Sequence, residues 1–456
     1  MLLTLTGASQ AELSAFSHEH LNIKIGQAIF EKLWVFAPSS TKSSDGLGPF
    51  YNARSCAQCH DISRPDANNL PPSLVIMLSI EPYAAELSKQ NQDALKHIGF
   101  IPDPVYGKQI QSFAYPGAKA EAQVTLTEQR LNYLFPDGQE VSLRKPSYQL
   151  SALGYGELHA DVRFSARVAP RMLGLSLLDA LPDTALFALE DPDDKDGDGI
   201  SGRVNRVWDP LTQSIRAGRF GWKAGKANLE HQNLAALSSD IGVSSWLFPL
   251  PEGDCSARQA ACTELAQQTE TMLAAYPQAE NTRPEPMLEA SRKMTDLLQA
   301  FTRDMGTHVF KTQTTLQQKK SNSPALAEGK QLFLRSGCAA CHSSKFSGII
   351  QDSEKSAAQV QISPFSDLLL HDMGEALADN RQEFTASGRE WRTAPLWGMA
   401  DYLSRAASPR FLHDGRAASI MEAILWHGGE ADASVQAFAE LNKQQRQTLI
   451  HFVESL

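Results

Sequence analysis

Two pentapeptides carry the clearest chemistry in this chain: Cys56-Ala-Gln-Cys59-His60 and Cys338-Ala-Ala-Cys341-His342. Both are C-x-x-C-H, the attachment motif of c-type haem. Each cysteine pair can form thioethers with the two vinyl groups of a haem. The histidine that follows is then placed under the iron as proximal ligand. A thioredoxin-like pair would sit in a βαβ pattern, which is missing, and zinc would need a second nearby pair. Two covalently bound c-type haems are therefore expected, one per motif. The other two cysteines, Cys255 and Cys262, fit an exported protein and read as a local disulfide.

A third pattern is acidic. Asp194, Asp196 and Asp198 alternate before Gly199, which is calcium-loop spacing. Position twelve of such a loop is Asn205 rather than a bidentate glutamate. The spacing suits either a calcium site or an acidic turn held by Asx hydrogen bonds.

The elements that position the haem motifs form a weak internal repeat. Gly26-Gln-Ala-Ile-Phe30 precedes the first motif, and Gly329-Lys-Gln-Leu-Phe333 precedes the second. Each reads as an amphipathic helix with a glycine and a phenylalanine on one face. In a c-type cytochrome this helix crosses a terminal helix near the haem. Two segments suit that partner, residues 286–305 with Leu298 and Phe301, and residues 434–456 with Leu449 and Phe452. The polar stretch 311–323 reads as a linker. These features predict a mainly α protein of two cytochrome c-like domains, 1–310 and 311–456. The first is enlarged by insertions, including a hairpin around Pro136-Asp137-Gly138.

Composition is that of a globular protein, with 42% hydrophobic and 21% charged residues. A net charge of −10 argues against a nucleic-acid partner. An acidic surface suits a small basic redox protein as electron donor. No apolar run approaches the ~20 residues of a membrane span. Haem attachment implies export and a periplasmic location, although the first residues lack the basic and apolar regions of a signal peptide.

Further segments carry a family resemblance: Asp45-Gly-Leu-Gly-Pro49, Arg167-Val-Ala-Pro170, Gly174-Leu-Ser-Leu-Leu178 and Asp196-Gly-Asp-Gly-Ile-Ser-Gly-Arg203. Arg219-Phe-Gly-Trp-Lys-Ala224, Arg392-Thr-Ala-Pro-Leu396 and Phe411-Leu-His-Asp-Gly-Arg416 extend it. From about Gly26 to the end the chain resembles the di-haem cytochrome c peroxidase superfamily. More narrowly, it resembles the bacterial di-haem oxidoreductases, a peroxidase group also labelled thiol oxidoreductases. The resemblance implies Trp222 between the haems, and Gln232 and Asp240 on the distal side of the first haem as catalytic residues. Asp240 stands two residues short of the superfamily's acid and replaces a glutamate. His427 occupies the place of the superfamily's distal methionine on the second haem. Met421, Met373, His371 and His413 are the other candidates there. The carbonyls of Thr393 and Pro395 lie where the superfamily binds a calcium between domains. For the first iron, His97, His159, Met77 and Met172 are candidate sixth ligands, and an open position fits equally.

Two functions follow. One is a periplasmic peroxidase-like oxidoreductase that passes electrons from the C-terminal haem to a small oxidant such as peroxide at the N-terminal haem. The alternative is a non-catalytic di-haem electron carrier. A thiol oxidase would lack a free catalytic thiol once Cys255 and Cys262 pair.

Overall fold

The computed structural model describes residues 10–37, 39–41, 43–66, 70–82, 88–250, 253–256, 258–259, 262, 264, 288–305, 323–343, 346–352 and 355–456. The expected linker lies outside these residues, apart from Ser323.

Both expected helix crossings are present. Helix Gln10–Glu31 carries Gly26 against helix 292–305. A Cβ on Gly26 would stand 2.0 Å from the Leu297 carbonyl oxygen and 2.8 Å from Phe301 Cβ. Helix Pro324–Arg335 carries Gly329 against helix Lys443–Glu454. There a Cβ would stand 2.5 Å from the Thr448 carbonyl oxygen and 2.6 Å from Phe452 Cβ. Only a residue without a side chain lets these backbones approach so closely. Phe30 and Phe333 then meet Phe301 and Phe452, with ring centroids 5.2 and 5.5 Å apart.

The terminal segment is two helices rather than one. Asp432–Glu440 ends before Asn442, whose side chain caps Lys443–Glu454 in a capping box with Gln445. The start of segment 286–305 lies outside the described residues, and its helix begins at 292.

The mainly α expectation needs correcting. Helices share the chain with six small antiparallel sheets among the described residues. The largest addition is the hairpin Gln123–Leu134 and Glu140–Ser151, paired in unbroken register around Pro136-Asp137-Gly138. Alternate side chains share a face of a strand. Leu131, Tyr133, Phe135, Val141 and Leu143 thereby join the core of the second motif's helices, around Phe438 and Leu449. Val124, Tyr148 and Leu150 join another core, around Ile76, Leu78 and Tyr106. At the hairpin tip buried Arg446 donates to Asp137 (2.6 Å) and Gln139 (2.9 Å). This insertion therefore ties the N-terminal part of the chain to its last helix.

Candidate functional site

One cavity of about 690 Å³ reaches both motifs. Cys59, His60, Cys338, Cys341 and His342 line it, and Cys56 packs behind, in the core around Trp34 and Leu237. None of the four motif cysteines is in a disulfide. Cys255 and Cys262 are disulfide-linked, with Cα atoms 5.8 Å apart.

The motif histidines are held alike. The His60 ring bonds the backbone carbonyl of Pro170. His342 Nδ1 lies 2.9 Å from the carbonyl oxygen of Phe365. A carbonyl accepting from Nδ1–H fixes the tautomer and leaves Nε2 as a lone-pair donor. Burial pushes both rings down to about 4, so both are neutral ligands near pH 7.

His427 closes helix Ile420–Trp426. It lines the cavity, and its Nδ1 lies 2.6 Å from the Ala423 carbonyl oxygen. Burial lowers its pKa, and it lies near enough to affect the charge of His342. The alternatives are less suited. Both ring nitrogens of His371 are taken, by Asp367 (2.9 Å) and Glu430 (2.8 Å). Burial opposes its charge, yet its bonds to Asp367, Cys341 and Glu430 push its pKa up to about 12. His413 stacks on Trp391, ring centroids 3.8 Å apart. Met421 packs beside Gln139, whereas Met373 lines the cavity.

Gln232 and Asp240 both line the cavity, on helix Leu229–Ile241, and Asp240 lies near Cys56 and Cys59 of the first motif. The helix end is pinned there by backbone. Asn52 and Ala53 donate to the Asp240 carbonyl (2.8 and 3.1 Å), and Gly48 donates to that of Ile241 (3.1 Å). The C-cap Gly242, at φ +74°, touches Gly48, where a Cβ would stand 2.7 Å from the Gly242 Cα. The segment Asp45–Pro49 and the helix end that carries Asp240 thus meet in one contact. The Asp240 carboxyl accepts from Gln109 Nε2 at 2.8 Å. Burial raises its pKa to about 6; the Gln109 bond opposes this and the charge of Asp254 adds to it.

Trp222 also lines the cavity. Its indole N–H donates to the Val168 carbonyl at 2.7 Å, and its own carbonyl accepts from Arg392 N at 2.9 Å. It thus links the strand end near Pro170 to the segment beside the second motif. Among candidate sixth ligands of the first iron, His97, Met77 and Met172 line the cavity, while His159 is part-exposed and faces Asp161 at 3.7 Å.

The sequence reading assigned no role to His231, Arg171 or Arg392. His231 precedes Gln232, lines the cavity at 6% exposure, and its Nδ1 has no hydrogen-bond partner among the described residues. Its position next to Gln232 was the one available signal.

The carboxylates of Asp194, Asp196 and Asp198 converge, with one oxygen from each lying within 4.8 Å of the others. Each also accepts from a loop amide, those of Gly199, Asp198 and Ile200 respectively. The last two are Asx bonds of the kind that hold an acidic turn. The Thr393 and Pro395 carbonyls are likewise engaged, by Ser366 Oγ and Arg392 (2.7 and 3.0 Å) and by Arg171.

The residues present fit two haems: four thiols outside any disulfide, three of them on the cavity wall, two neutral motif imidazoles, and the cavity-lining cations Arg171 and Arg392 without carboxylate partners. No helix of the described residues is long and apolar enough to cross a membrane. No curated protein matches the chain. A crystal structure described as a MauG-like protein associated with microbial copper homeostasis is 16% identical. The match covers 62% of this chain and 89% of that one, with a TM-score of 0.29. Residues 8–456 match the family described as "Di-haem oxidoreductase, putative peroxidase". With nearly its whole length inside that match, the chain belongs to the di-haem oxidoreductase family.

Proposed function

We propose that the chain is an exported, peroxidase-like di-haem enzyme, with unlike iron sites in two cytochrome c-like units, 1–310 and 311–456. The observation that carries this is the difference between the two ends of the cavity. Near His342 stands one neutral, tautomer-fixed imidazole, His427. Helix Leu229–Ile241, whose Leu237 packs with Cys56 of the first motif, turns His231, Gln232 and Asp240 to the cavity, with Asp240 near Cys56 and Cys59.

When bound through Cys56 and Cys59 and through Cys338 and Cys341, the haems supply peroxide reduction at the first site and electron entry at the second. The chain's own residues do the rest. His60 and His342 would each hold an iron, and His427 would be a further protein ligand to the one at His342. Asp240 has its acid form available at mildly acidic pH and can deliver a proton to the leaving oxygen of a peroxide. Gln232 offers an amide to orient it. Trp222 joins the two ends through Val168 and Arg392. Attachment chemistry of this kind supports a periplasmic location, and the net charge of −10 supports a basic redox protein as donor.

Intact mass of the exported protein, followed by the spin state of the His60 iron, tests this reading. The enzyme requires two added haems and a first iron that is high-spin or opens to cyanide. Two irons that are low-spin and closed in every redox state would leave the electron-carrier alternative.

A further inference from the structure

Arg171 and Arg392 both line the cavity. Neither makes an ion pair with any described residue. Arg171 donates to the Pro395 carbonyl and faces Met399 Sδ at 3.7 Å. Arg392 is 7% exposed and donates to the carbonyls of Gly221 and Thr393, both at 3.0 Å. The two guanidiniums are near enough to repel each other. Asp367 is the acid that acts on Arg392, but it hydrogen-bonds His371 at 2.9 Å. With Arg392 buried and Arg171 half-buried, two like charges without an anion are costly, and folded proteins pair such groups.

Their position is specific. Arg171 follows Pro170, whose carbonyl holds His60. Arg392 precedes Thr393, whose carbonyl accepts from Ser366, the residue after Phe365 that holds His342. Segment 392–397 joins both shells. Arg392 N donates to Trp222 and Leu396 N to Pro364 (both 2.9 Å), while Trp397 Nε1 donates to Leu173 at 3.1 Å.

We propose that Arg171 and Arg392 form a shared anion site for the carboxylate groups of the two cofactors, the haem propionates, and thereby couple the two haems electrostatically. This rests on the two-haem reading above. The planar fork of an arginine suits a carboxylate, and each guanidinium keeps donors free of the carbonyls it already bonds. A cation beside a propionate favours the reduced iron, which carries one positive charge less.

Resonance Raman spectroscopy and potentiometric titration of the haem-loaded protein test it. In the unaltered protein, the propionate bending bands should lie at the position of charge-paired carboxylates. Arg171→Gln and Arg392→Gln should each move such a band and lower at least one midpoint potential. Arg171→Lys should restore most of the potential but not the band. Bands at the free-carboxylate position in the unaltered protein overturn the proposal even if the variants fail to fold. So do variants with two haems and unchanged bands and potentials, which would leave the two-haem reading standing. Fewer than two haems by mass in the unaltered protein overturns both.

Discussion

The two motif regions are alike on one side and unlike on the other. On the proximal side each repeats one solution. A helix glycine, Gly26 or Gly329, admits a second helix, a phenylalanine pair closes the crossing, and a backbone carbonyl fixes the histidine. Among the other cavity-lining groups, His427 lies near the second motif, whereas helix Leu229–Ile241 carries His231, Gln232 and Asp240, with Asp240 near the first. The shared packing lies on the motif side of the cavity in both regions. The opposite wall is where a ligand side chain would close an iron and a set of acids and amides would leave it reactive.

The largest expected effect breaks this contrast at the second region. His427→Gly should turn that low-spin iron high-spin, with added imidazole restoring the signal and the first iron unchanged. An unaltered spectrum would transfer the ligand role to Met373. Next comes the first region. Asp240→Asn should slow peroxide turnover by ~10²–10⁴-fold with both haems retained. Because the protonated acid is the working form, wild-type turnover should fall as pH rises through about 6, and the variant should lose that step. Equal pH profiles would remove Asp240 from the chemistry.

Two smaller effects sharpen the shared side. Gly26→Ala and Gly329→Ala should each cost about 1–3 kcal/mol from overpacking, read as lowered thermal midpoints. The first should cost more, since its Cβ would lie 2.0 Å from a carbonyl oxygen against 2.5 Å. Reversed or null effects would mean the crossings are not equivalent. Asp240 also has a stability signature. Its folded pKa of about 6 exceeds the ordinary 3.8, so its contribution is present at low pH and lost as pH rises between those values. Asp240→Asn should therefore match wild type below pH 4 and be more stable at pH 7, by on the order of 2–3 kcal/mol in chemical denaturation.

What the sequence determined on its own was local. C-x-x-C-H is a matter of residue spacing, and Gly26/Phe30 and Gly329/Phe333 of helical period. The hairpin at Pro136-Asp137-Gly138 follows from turn chemistry. Each is written within a few residues, so each is legible without the fold. The part-β character was less so, because strands such as Phe50–Tyr51 or Gln109–Ile110 are two residues long and owe their pairing to distant partners. Tertiary structure alone decided the rest. It brought Gly48 onto Gly242 and so set Asp240 at the first motif. It occupied both nitrogens of His371 while leaving His427 turned to the cavity. It set Arg171 and Arg392 on the cavity wall without carboxylate partners. Burial, unpaired charge and free valence are properties of surroundings contributed by segments hundreds of residues apart, and no local pattern encodes them.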